Sequence, residues 1–140
     1  VKNKVTLNTS ELTGAALDWA VAKCEGKSVE TNDDWVIDIA LDTILISDSR
    51  FQPSSDWAKA GPIIHREGIL MGPSPFPGEP YAACVGSEWD TGAFTQSGST
   101  PLIAAMRCFV TSKLGPQIEV EEELAARTRP SPSGWVPLKM

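Results

Sequence analysis

Histidine is scarce in this 140-residue chain, with His65 the only one. Cysteine is nearly as sparse. Cys24, Cys84 and Cys108 lie far apart, so no set of close Cys and His pairs exists from which a zinc site could be built. Free core thiols are the expected state, with Cys24 and Cys108 inside expected helices. Basic residues are also in short supply: 12 Lys and Arg against 18 Asp and Glu leave a net charge of −6. That balance excludes nonspecific nucleic-acid binding, which needs clustered cations to displace counterions from phosphates. No apolar run approaches the roughly 18–20 residues of a membrane span, and no secretory leader pattern is present. A cytoplasmic location and no membrane partner are therefore expected. A Gly-rich phosphate loop ending in Gly-Lys-Ser/Thr and a nucleophile elbow are missing as well. No cofactor and no metal are implied, and no catalytic residue is assigned.

Residues 97–116 carry a complete helix. Thr100 is a good N-cap, Pro101 sits where its missing N–H costs nothing, Lys113 faces the negative end, and Gly115-Pro116 closes it. Leu102, Ile103, Met106, Phe109, Val110 and Leu114 share one broad arc. Ala104, Ala105, Cys108, Thr111 and Ser112 form a small-residue side that a second element can approach closely. A first helix is expected from Glu11 to about Glu25, capped by Ser10 and ended by Gly26. It is apolar nearly all round, apart from a thin stripe of Glu11, Asp18 and Glu25, and is expected to pack on the 100–114 helix. Two such apolar helices in one short chain also suggest a homo-oligomer.

The rest of the chain is read more coarsely. Residues 1–9 form an extended lead-in. Trp35 to Leu41 alternate as a strand should, with Thr43–Ile46 a second strand or its continuation. Residues 47–61 are turn-rich around an isolated Trp57, and 62–71 read as a strand interrupted at Gly68. Residues 72–80 are a Pro- and Gly-rich loop, Tyr81–Val85 a short strand, and 86–98 a loop carrying Trp89. Glu119 to Arg127 reads as a short acidic helix. The expected class is α+β: two packed core helices, about 11–25 and 100–114, against a small, mainly antiparallel sheet with long loops. Residues 1–127 are expected to form a single domain and 128–140 a flexible Pro/Ser-rich tail.

Three stretches carry a resemblance. Thr9-Ser10-Glu11-Leu12-Thr13-Gly14-Ala15-Ala16-Leu17-Asp18-Trp19-Ala20-Val21-Ala22 is the first. Pro53-Ser54-Ser55-Asp56-Trp57 leading into Gly61-Pro62-Ile63-Ile64 is the second, and Thr100-Pro101-Leu102-Ile103-Ala104-Ala105-Met106-Arg107 the third. In this order, over roughly residues 9–124, the chain resembles the NinX family, small proteins of tailed bacteriophages and prophages with no assigned function. The resemblance implies a phage accessory protein in a bacterial host and supplies no catalytic residue. The insert at 71–80 and the tail after Ala126 depart from it.

Candidate site residues come from three features. Ser99 and Thr100 stand at the positive end of a helix, suited to a phosphate or equally to plain capping. Trp57 and Trp89, in loops, can stack on a base or anchor their own loops. Arg66 and Arg107 can meet a ligand phosphate; for Arg107, an internal carboxylate such as Asp18 or Asp56 is the competing partner. The leading expectation is a non-enzymatic accessory protein that binds a small phosphorylated ligand, a nucleotide. By analogy, it could act as a sponge for a nucleotide signal of host defence. A protein-binding modulator of a host factor is the alternative. A third is a small nucleotide hydrolase with His65 as base, oriented by Glu67, on the same strand face, or by an Asp.

Overall fold

The computed structural model describes residues 4–27, 29, 35–38, 41–47, 49–74, 77–85 and 95–128. Trp89, part of the 71–80 insert and the tail from 129 onward lie outside them. Helix α3, Pro101–Leu114, has the start and stop read from its sequence. Thr100 accepts the Ile103 N–H on its hydroxyl at 3.1 Å, and Gly115 follows the last turn. Helix α1 spans Gly14–Cys24, three residues shorter at its start than expected, because Ser10 belongs to a 3-10 turn at Thr9–Glu11 and Thr13 takes the extended capping backbone. Gly14 has φ +55, and a Cβ there would run into the Asp42 carboxylate.

Helices α1 and α3 pack on each other as expected. One copy of the chain buries Ala15–Ala22 of α1 and Ala104–Thr111 of α3, so their apolar side chains are already covered within it. The expected single sheet is instead three small antiparallel ones. Strand β1 (Lys4–Asn8) pairs with β8 (Gln117–Glu121). Strands β2 (Trp35–Asp38), β3 (Thr43–Ile46) and β4 (Ser49–Phe51) form the second sheet, in that order. Strands β5 (Ile69–Pro73), β6 (Tyr81–Val85) and β7 (Gln96–Gly98) form the third, against α3. Short helix α4 (Glu122–Thr128) covers α1 and the β1–β8 ribbon.

Helix α2, Trp57–Glu67, corrects the reading of 47–61 as loop and 62–71 as strand. Asp56 caps it by accepting the Ala58 N–H at 2.9 Å, and Gly68 closes it in the left-handed region. Pro62 is tolerated mid-helix because it lies on the solvent side, as does Ala58, whose carbonyl it has no N–H to bond. Ala60 and Ile63 face the core. Two shorter corrections concern segments with little β-propensity or a mixed pattern: Gln96–Gly98 is a strand rather than loop, and Gln117–Glu121 is a strand preceding a shorter acidic helix.

Candidate functional site

One corner gathers several polar groups at the N-terminus of α3. The register of β6 and β7 sets Tyr81 opposite Gly98 and Ala82 opposite Ser97, so the chain leaves β7 beside Tyr81 and enters α3 after two intervening residues. Gly98 is required there: a Cβ would come within 2.6 Å of the Ala104 backbone nitrogen. Ser99 and Thr100 are exposed. In the first turn Pro101 has no N–H, Ile103 donates to the Thr100 hydroxyl, and Ala104 donates to the Thr100 carbonyl at 3.1 Å. Leu102 keeps the one first-turn N–H without an acceptor among the described residues.

Two turns along, Arg107 is only 4% exposed. Its Nε donates to the Leu12 carbonyl at 2.8 Å, and its Nη1 donates to the Ser97 carbonyl and to Glu79 Oε1, both at 2.8 Å. The Ser97 hydroxyl donates to the same Glu79 oxygen at 3.2 Å. The Glu79 side chain is 40% exposed, so a buried guanidinium is balanced by a carboxylate at the surface. The internal partner of Arg107 is therefore Glu79, not Asp18 or Asp56. Asp56 is engaged in capping α2, and Asp18 accepts from the Ser54 N–H and the Thr43 hydroxyl.

The other candidates lie apart from this corner. Arg66, on the last turn of α2, pairs with Glu25 and Glu67, and its guanidinium sits 5.7 Å from the Phe109 ring centroid. These two carboxylates hold it more firmly protonated than usual, and Arg66 and Lys113 in turn keep Glu67 below its ordinary range. Phe109 is nine residues beyond Thr100, roughly 14 Å along the helix axis. Trp57 opens α2 and is 56% exposed, an indole turned to solvent rather than a loop anchor. Trp89 falls outside the described residues. The structure thus sets Ser99 and Thr100 at the start of α3, Arg107 midway along it with its guanidinium reaching back to the Ser97 carbonyl, and Arg66 against its other half, with no described contact between Trp57 and these groups.

Glu79, Ser97 and Tyr81 were not singled out from the sequence. Tyr81, 36% exposed, is the aromatic that the register places beside the α3 entrance. Its position as the first residue after the Pro-rich loop was the available signal. His65 lies exposed on α2, so the shared strand face with Glu67 does not exist. Burial pushes the Cys24 and Cys108 thiols up to about 12, which leaves them unreactive near neutral pH. Among the described residues no group of three His, Cys, Asp or Glu could hold a metal ion, and no helix is long and apolar enough to cross a membrane.

No curated protein matches the chain. The family model described as bacteriophage P22 NinX matches residues 8–113, which include α1, α2 and nearly all of α3. Over three quarters of its length, then, this chain is a member of the bacteriophage P22 NinX family.

Proposed function

We propose that this NinX-family chain is a non-enzymatic phage accessory protein that binds a small phosphorylated ligand, a nucleotide, at the corner of Ser99, Thr100 and Arg107. The observation that carries the reading is the unequal pair of Arg107 and Glu79. A guanidinium 4% exposed is matched by a carboxylate 40% exposed, and both bond Ser97, two and three residues before the exposed Ser99 and Thr100 at the positive end of a 14-residue helix. An incoming phosphate can take the place of the Glu79 carboxylate without leaving Arg107 unpaired. Tyr81 supplies a ring at the same edge on which a base can lie. In an infected cell such a protein would withhold a nucleotide signal from its host receptor.

The test is calorimetry with mono-, di- and cyclic nucleotides on the native chain and on Arg107→Lys and Glu79→Gln. Saturable binding that weakens in Arg107→Lys and tightens in Glu79→Gln supports the reading. Absence of heat for every nucleotide sinks it. A second reading, a modulator that binds a host protein, draws on the exposed apolar side chains Val36, Leu41, Trp57 and Leu70. A host protein that co-purifies with the native chain but not with Trp57→Ser would favour that one.

A further inference from the structure

Three buried groups stand in line between α1 and the end of β4. Asp18 Oδ2 lies 2.8 Å from the Thr43 hydroxyl, and that hydroxyl lies 3.1 Å from the Phe51 carbonyl. Both neighbours of the hydroxyl are acceptors, yet it carries one proton and can donate to only one of them at a time. The other carboxylate oxygen, Oδ1, takes the Ser54 N–H at 2.9 Å. With Asp18 ionised the line is therefore one proton short, and in a buried setting an acceptor left out is costly. A protonated Asp18 supplies what is missing: its own O–H donates to Thr43, and Thr43 donates to Phe51. The surroundings favour that proton. Burial opposes the charge most, and Asp42, next to Thr43 in the β2–β3 hairpin, adds repulsion, while the Ser54 and Thr43 bonds pull the other way. Strand β3 carries no charge of its own. On α3, packed against α1, the cations Arg107 and Lys113 are bound to Glu79 and Glu67, and on α4 Glu122 and Glu123 are exposed.

We infer that the Thr43 hydroxyl is a two-position latch worked by the Asp18 proton. In the protonated state Asp18 donates to Thr43 and Thr43 holds the Phe51 carbonyl. When the proton leaves to solvent, the hydroxyl turns to the carboxylate and releases Phe51; the Ser54 N–H stays on Oδ1 throughout. What the latch holds is the entry to α2. Phe51 is the last residue of β4, and in the turn after it the Ser55 and Asp56 N–H groups donate to the Gln52 carbonyl at 3.0 and 2.9 Å. That turn leads directly to the Asp56 cap and the exposed Trp57. Loss of one proton inside the core thus loosens the segment that presents this indole at the surface.

Carbon-detected NMR on the labelled native chain, from about pH 4 to about pH 8, reads the Asp18 carboxyl and the Phe51 carbonyl together. The Phe51 resonance is expected to move with the same midpoint as the Asp18 carboxyl. In Asp18→Asn, whose amide N–H stands where the acid proton would be, it should keep its acid-side position across the range. In Thr43→Val it should no longer follow Asp18, and Thr43→Ser should restore the coupling. Exchange of the Ser55 and Asp56 amides, corrected for its intrinsic pH dependence, should quicken several-fold above the midpoint in the native chain and not in Asp18→Asn. A Phe51 carbonyl that ignores the Asp18 titration, or one that follows it equally in Thr43→Val, overturns the inference. Amide exchange in that turn that is indifferent to the Asp18 proton overturns it as well.

Discussion

The Ser54 backbone N–H donates to Asp18 Oδ1 at 2.9 Å, while the Thr43 hydroxyl donates to Oδ2 at 2.8 Å. One carboxylate, 1% exposed, therefore ties α1 to β3 and to the turn that precedes α2. Burial dominates its titration and raises its pKa from 3.8 to about 6, with the hydrogen bonds opposing. Because the folded chain holds this proton more tightly than the unfolded one, stability falls as pH rises from about 4 to 6. The loss is complete above that window, at about 3 kcal/mol. Asp18→Asn removes this slope. Chemical melts at about pH 4 and pH 7 are expected to show the variant gaining on the native chain as pH rises; parallel curves would contradict the buried-proton account.

Arg107 joins three segments through the Leu12 carbonyl, the Ser97 carbonyl and Glu79. Arg107→Met leaves the Leu12 and Ser97 carbonyls without this donor, while the exposed Glu79 keeps solvent and the Ser97 hydroxyl, and is expected to cost about 2–4 kcal/mol in urea denaturation. Arg107→Lys keeps the charge but lacks the planar fork, and should lose less.

Gly98 and Gly61 form a contrasting pair. Gly98→Ala forces a methyl group against the backbone of α3 and should destabilise by about 1–3 kcal/mol. Gly61→Ala, in helix α2 with open space around it, should stabilise by about 1 kcal/mol. Thermal melts of the two variants should move in opposite directions.

Thr100→Ala should cost about 1 kcal/mol, the usual value of a lost cap, and Thr100→Asp should restore most of it. Nucleotide affinity that falls further in Thr100→Ala than in Thr100→Ser would assign the hydroxyl a role beyond capping.

Helix α3 was legible because every signal at both of its ends agreed, and Thr43–Ile46 and Tyr81–Val85 because β-branched or small apolar residues stood between clear turns. Helix α2 was not. Pro62-Ile63-Ile64 followed by Ile69-Leu70-Met71 reads as one strand unless Gly68 is known to be a helix cap. The candidate corner was half legible. Thr100 announces its position locally, whereas the bond from Arg107 to Glu79 spans 28 residues and depends on the register of β6 and β7, which no local pattern specifies. Asp18 reads as part of an acidic stripe because its hydrogen-bond donors, Thr43 and the Ser54 amide, come from distant segments.

The β1–β8 ribbon joins residues 4–8 to residues 117–121. A ribosome makes the first of these strands more than a hundred residues before the second. Throughout that interval the early strand has no mate and the underside of α1 lacks α4, its later cover. Completion of the fold thus waits on nearly the last described segment, a long-range closure of the kind that slows folding. Nascent chains halted short of residue 117 should accordingly be the protease-sensitive ones.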